Sequence, residues 1–282
     1  MTRPAHALTL PPDLKVIDLR LEGDPRLSKR ATVAFPLSSR IGRLPVLILL
    51  HGLGETHNET EGAFAWIQRY GLLSSYQRLL HPPVNRADAK HRYLTPTRAE
   101  QINHQLALRP FQGMILVCPF TPNVFDMNTR KAIADYGAWL VQILLPEVRK
   151  RTPARQTVRA TGIDGCSLGG YISYQVFQQR PQDFYTCGGV QAAFGKPSAA
   201  AYAARMAEIV KQHGKRAIHV QTSSEDPYHD ANVLFSKHMA QRRVPHDLRV
   251  PPGPHNQPWL IDVGTLEMLL WHDRQFAGDQ TP

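Results

Sequence analysis

The stretch Val158-Arg-Ala-Thr-Gly-Ile-Asp-Gly165-Cys-Ser167-Leu-Gly169-Gly170-Tyr171 decides how this chain is read. A β-branched run leads into Gly165-Cys166-Ser167-Leu168-Gly169, a G-x-S-x-G pattern, and a helical period follows over residues 168–179. The pattern alone is weak, since ordinary glycine and serine usage produces it by chance in roughly one such chain in ten. Its setting strengthens it. A serine between strand and helix, flanked by small residues, can stand on a sharp, strained turn with its hydroxyl exposed. The glycines are needed because strand and helix pack closely at such a turn. The helix that follows points its N-terminus at the serine, which favours negative charge there. Ser167 is the candidate nucleophile.

The pattern around this segment repeats its logic. Short apolar runs at 32–35, 46–50, 114–118, 158–163, 188–191, 218–222 and 248–250 read as strands. Runs that are apolar throughout suit strands covered on both faces, as in a parallel sheet. Helical periods fall between them, at 132–150, 168–179, 199–213, 230–241 and 258–276. Strands alternating with helices imply βαβ units, hence an α/β fold with a mostly parallel central sheet flanked by helices. The segments up to Phe35 are expected to form antiparallel edge strands. Near residues 55–110 the periodicity loosens and Phe64, Trp66, Tyr70 and Tyr76 mix with His, Pro and Arg. That stretch is too long for an ordinary loop and is expected to carry short helices of its own. It is read as an insertion above the sheet edge, within a single domain over residues 1–282.

Composition bounds the alternatives. The chain has 282 residues, 42% hydrophobic and 20% charged, which excludes a disordered or fibrous chain. No apolar run approaches the roughly 20 residues of a membrane span, and Met1-Thr-Arg-Pro-Ala-His with Leu8–Leu10 lacks a signal-peptide apolar core. The expected location is cytoplasmic, with no membrane partner. Three cysteines, Cys118, Cys166 and Cys187, do not make a disulfide framework or a zinc site. Lys and Arg number 33 against 23 Asp and Glu, a net charge of +10. The charges are scattered; the densest group is Arg86, Lys90, His91, Arg92 and Arg98. No nucleic-acid signature accompanies it, so a solvated basic surface is the preferred reading. A milder use of the charge is attraction of an anionic substrate, with Arg or Lys from the 55–110 stretch at the mouth of the site.

A serine hydroxyl needs a base, and the base needs an orienting acid. Ser223-Ser-Glu225-Asp226 follows the 218–222 strand, and Pro251-Pro-Gly-Pro-His255-Asn256 follows the next one. The order Ser167, Asp226, His255 matches the serine, acid, histidine order of nucleophile-elbow enzymes. His255 lies alone in a Gly/Pro loop, whereas His219 lies in a strand and His213, His238 and His272 lie on helices. Asp226 is preferred to Glu225 by loop position. Asp230 is expected to cap the following helix, and Asp164 cannot easily reach His255. The third element is Leu49-Leu-His51-Gly52-Leu53-Gly54-Glu55, where glycines let backbone N–H groups turn toward an oxyanion. One donor is expected to be the N–H of Leu168 and the other that of Leu53 or Gly52. His57, Glu59 and Glu61 do not have metal-ligand spacing; neither metal nor cofactor is expected.

With these residues in place, the chain resembles an α/β-hydrolase of the esterase D-like family, which includes feruloyl esterases, S-formylglutathione hydrolases, enterochelin esterases and mycolyltransferases. The resemblance runs over roughly residues 30–276. It is carried by VLILLHGLGE at 46–55, MILVCP at 114–119, residues 135–148, the elbow at 162–170, Arg180-Pro-Gln-Asp-Phe184, and Pro254-His-Asn256 with Trp259. The family pattern departs at Cys166, where many members carry histidine. The resemblance implies an α/β-hydrolase fold and two-step acyl transfer from a small-molecule ester through an acyl-enzyme intermediate. It implies Ser167 as nucleophile, His255 as base and Asp226 as acid, with Glu55, Asn256 and Trp259 beside the substrate. The rival readings are an acyltransferase or thioesterase with the same triad, and a non-catalytic binding protein of this fold.

Overall fold

The computed structural model describes residues 11–37, 42–87 and 92–278. The N-terminal stretch read for a signal peptide, and Lys90 and His91 of the basic group, lie outside the described residues. The apolar runs pair into one sheet, formed by β1 (Leu14–Arg20), β2 (Arg30–Pro36), β3 (Val46–Leu50), β4 (Ile115–Pro119), β5 (Thr161–Gly165), β6 (Thr186–Val190), β7 (Ala217–Gln221) and β8 (Asp247–Arg249). Its order is β1-β2-β4-β3-β5-β6-β7-β8. From β4 to β8 the pairs are parallel, while β1 and β2 run antiparallel at one edge. β3 and β5, the two strands that end at the site, are central and fully buried.

Helices cover both faces. On one lie α4 (Thr129–Trp139), α5 (Leu145–Arg151), α6 (Leu168–Gln179), α7 (Lys196–His213) and α8 (His229–Gln241), packed around Tyr136, Phe177, Phe184 and Phe235. A π turn, Leu140–Leu144, joins α4 to α5, so the expected helix over 132–150 runs without a break. The other face is covered by α1 (Glu59–Gln68), α2 (Leu72–Leu80), α3 (Pro96–Leu108) and the C-terminal α10 (Thr265–Ala277). A short α9 (Gln257–Trp259) and a second π turn, Leu260–Gly264, lead into α10.

Two readings of the sequence are corrected here. The stretch near 55–110 carries the short helices expected of it, but they lie against a face of the sheet and not above its edge. Its helices supply much of one face, with Trp66, Tyr76, Leu72 and Ile102 fully buried against β3, β4 and α10. Burying one such large side chain is worth about 2–3 kcal/mol, so this stretch is part of the core. The run 158–163 is not one strand either. Val158–Ala160 form a 3-10 turn, and the strand starts at Thr161, where pairing with Val46 begins. The Arg159 guanidinium lies 4.0 Å over the Tyr185 ring, outside the ladder. Among the described residues, no helix is long and apolar enough to cross a membrane.

Candidate active site

Ser167 stands between β5 and α6 with φ +55° and ψ −117°, a region that non-glycine residues rarely enter. The turn is held by backbone bonds: Ser167 N–H donates to Val190 O at 2.9 Å, and its carbonyl accepts from Ala193 N at 3.0 Å and Tyr171 N at 3.1 Å. Close approach explains the glycines. A Cβ on Gly169 would lie 2.2 Å from the Leu50 carbonyl oxygen, and one on Gly165 would lie 2.5 Å from the Gly169 backbone.

The two later loops are brought together at the sheet's C-terminal edge. Glu225 N donates to Gly253 O at 3.0 Å and Ser224 N to Pro251 O at 3.2 Å. His255 Nδ1 lies 2.9 Å from Asp226 Oδ1. The Asp226 side chain is fully buried and also accepts from Thr222 Oγ1 at 2.6 Å and Tyr228 N at 3.0 Å. A carboxylate can only accept, so Nδ1 carries the His255 proton and Nε2 is left bare. The imidazole is 26% exposed. Asp230 does not cap α8; it lies inside the first turn and pairs with Lys196, while Tyr228 holds the cap position.

Ser167 and His255 line one pocket of about 230 Å³ with Gly52, Leu53, Gly54, Glu55, Tyr70, Cys166, Gln191, Asn256, Gln257 and Leu260. Leu53 and Leu168 each open a helix, and neither N–H has a partner among the described residues. Gly52 is different: its N–H is turned to Tyr70 Oη, 3.3 Å away, which removes it as a donor to the pocket. Glu55 and Asn256 do line the pocket, but Trp259 does not. Its indole is fully buried and donates to Pro252 O at 3.0 Å, so it anchors the histidine loop from beneath. The residues lining the pocket include neither Arg nor Lys. Arg69 of the 55–110 stretch is instead paired with Glu55 at 3.1 Å and Glu61 at 2.5 Å. Cys166 reaches the pocket, but burial pushes its thiol pKa well up, and it stays protonated.

His51 supports the turn before Leu53. Its Nε2 accepts from Thr121 N–H at 2.8 Å, so the proton sits on Nδ1, which donates to Gly52 O at 2.8 Å. Carbonyl and following N–H are antiparallel in a trans peptide, so this bond also sets the direction of the Leu53 N–H. Burial lowers the His51 pKa to about 4. A lowered histidine pKa adds stability above the unfolded value of 6.5, and that stability is lost as pH falls from there through about 4, roughly 3 kcal/mol in all. In an NMR titration the His51 ring is expected to stay neutral down to about pH 4; protonation above pH 6 would contradict it.

Sequence reasoning missed three features. Tyr70 and Gln191 line the pocket; Gln191, at φ +51°, donates to Ser223 Oγ at 2.6 Å and Pro254 O at 3.1 Å, tying β6 to the histidine loop. The third is a buried cluster below the elbow, the one group of potential metal-ligating side chains among the described residues. Asp164 Oδ2 takes His272 Nε2 at 2.9 Å and His219 Nδ1 at 3.2 Å, while Oδ1 accepts from Gly165 N at 2.7 Å. Burial alone would raise the Asp164 carboxyl, but the two imidazole bonds hold it below its ordinary value. Its hydrogen bonds join β5, β7 and α10, and His272 Nδ1 also meets Thr186 Oγ1 at 2.9 Å, while His219 Nε2 is buried without a partner. Asp164→Ala is expected to cost about 3–5 kcal/mol, because the partners stay buried without it. Urea denaturation reads this directly; a loss under 1 kcal/mol contradicts it.

No family model and no curated protein matches the sequence. Solved structures do resemble it. A ferulic acid esterase superposes with TM-score 0.66 at 20% identity, covering 93% of this chain and 99% of that one. An S-formylglutathione hydrolase from Staphylococcus aureus gives 0.60 at 14%, covering 92% and 99%. An enterobactin esterase from Shigella flexneri gives 0.60 at 16%, covering 94% of this chain and 60% of the other. With its mostly parallel eight-stranded sheet and this likeness over nearly its whole length, the chain has the α/β-hydrolase fold.

Proposed function

We propose that the protein is a serine carboxylesterase that cleaves a small-molecule ester through an acyl-enzyme intermediate. The observation that carries this reading is Ser167, strained at a strand–helix turn, sharing one pocket with the Asp226-bound His255. The solved structures it resembles are named as a ferulic acid esterase, an S-formylglutathione hydrolase and an enterobactin esterase, which supports ester chemistry.

The chemistry follows from the proton positions. His255 Nε2 takes the Ser167 proton as Oγ attacks the ester carbonyl, and Asp226 stabilises the imidazolium. The N–H groups of Leu53 and Leu168 receive the oxyanion. The imidazolium then protonates the departing alcohol, and water repeats the sequence to free the acid. A pocket of about 230 Å³ suits a short acyl group. Its lining has no cation for a charged substrate, so selection by apolar fit and by the amides of Gln191, Asn256 and Gln257 is favoured over charge.

The test is hydrolysis of a p-nitrophenyl ester series beside fluorophosphonate labelling mapped by mass spectrometry. Label on Ser167 with turnover of short esters supports the reading. Label without turnover turns it toward acyl transfer to another acceptor. Neither, in a folded sample, overturns it.

A further inference from the structure

Gly52 lies between two peptide planes, and each is held by one side chain. Its N–H donates to Tyr70 Oη and its carbonyl accepts from His51 Nδ1. Glycine has the widest backbone freedom of any residue, so nothing intrinsic keeps this turn in one state. The Tyr70 hydroxyl has a second partner, Glu55 Oε2. Gly52 precedes the single 3-10 turn Leu53–Glu55, and Glu55 ends it. One phenol hydroxyl therefore joins both ends of the turn that carries the Leu53 N–H.

The direction of these bonds follows from chemistry. Burial, with Cys166 and Glu55 nearby, pushes the Tyr70 pKa well up, so the phenol keeps its proton and donates a hydrogen bond to the carboxylate. Glu55 is almost fully buried and is gripped from its other oxygen by Arg69. The Tyr70 ring has supports of its own: Trp66 packs edge-on at 5.2 Å, and the Tyr70 carbonyl accepts from Thr265 Oγ1 at 2.7 Å.

We propose that Tyr70, oriented by Glu55, is a positioning residue for the oxyanion turn: its hydroxyl staples Gly52 to Glu55 and so aims the Leu53 N–H at the carbonyl oxygen held over Ser167. This rests on the esterase reading above. The single phenol proton is committed to Glu55, so Tyr70 acts on the reaction only through the turn.

Tyr70→Phe keeps the ring and its contact with Trp66 and deletes the staple. The expected result is a fall in kcat of about 10- to 100-fold, short of the hundredfold or more for losing an oxyanion donor outright. KM should stay within about twofold, because the lost interaction is made only in the transition state. Glu55→Gln leaves one oxygen for two donors; the Arg69 guanidinium can only donate and takes it, so the NH2 faces the phenol and kcat should fall part of the way toward that of Tyr70→Phe. Glu55→Leu should fall as far as Tyr70→Phe, and the double variant Tyr70→Phe/Glu55→Leu should fall little further, since both break one link. Hydrogen exchange at the Gly52 N–H reads the staple without catalysis and should speed up in Tyr70→Phe. Unchanged kcat, a loss confined to KM, or full additivity overturns the proposal. A wild type that neither labels nor turns over overturns the esterase reading instead, and the Gly52 exchange rate still decides the staple.

Discussion

Replacing Ser167 with alanine is expected to lower ester hydrolysis about a million-fold and to abolish fluorophosphonate labelling in a protein that stays folded. The size of the effect follows from the division of work. His255 can polarise an attacking group, but without Oγ the only nucleophile is a water with no fixed place in the pocket. The residual rate, about a thousandfold or more over water, comes from the oxyanion donors and from substrate binding. Folding is not expected to suffer. The turn is held by the backbone of residue 167 through Val190, Ala193 and Tyr171, not by its hydroxyl. Alanine still has to adopt φ near +55°, a cost the wild-type serine already bears. A variant that keeps turnover or label within tenfold of wild type would remove Ser167 from the reaction. Label on another residue, in an otherwise active protein, would do the same.

What could be read from the sequence follows the physics of each element. The elbow was legible because close packing of β5, α6 and Leu50 demands glycine at 165 and 169, and glycine spacing is visible in one dimension. The pairing of Asp226 with His255 was legible because each residue closes a strand and loop unit of the sheet. Tyr70 was not, because its work is done through a single hydroxyl 18 residues from its partner Gly52. Nothing in the spacing of residues 55–110 marks a face of the sheet: α1 and α3 mix polar with apolar positions, and Pro96 opens α3. The family resemblance places Trp259 beside the substrate; its buried indole instead fills the space beside Gly253 and Gly264. Asp164, His219 and His272 come from β5, β7 and α10, and only the assembled sheet brings them to one point.

The geometry around Asp226 gives the second large effect a particular shape. Asp226→Ala should lower kcat/KM about ten-thousandfold, because His255 loses both its orientation and the charge that stabilises its imidazolium. An asparagine commonly fails as badly when its NH2 faces Nδ1 and forces the wrong tautomer. Here two neighbours choose the amide orientation. Tyr228 N–H donates to Oδ1 at 3.0 Å and demands an acceptor there, the same oxygen that faces His255 Nδ1 at 2.9 Å. The Thr222 hydroxyl, 2.6 Å from Oδ2, can turn from donor to acceptor and receive the NH2 group. Asp226→Asn should therefore keep Nδ1–H on His255 and lose only the charge, a drop of roughly a hundredfold, since a neutral acceptor is about half as strong as an ionised one. Adding Thr222→Val removes the group that holds the amide in place, and activity should then fall toward that of Asp226→Ala. Steady-state kinetics of the four proteins, with urea midpoints to confirm folding, decides it. An asparagine variant as poor as the alanine one would show that the amide flips and that Tyr228 N–H does not choose its orientation.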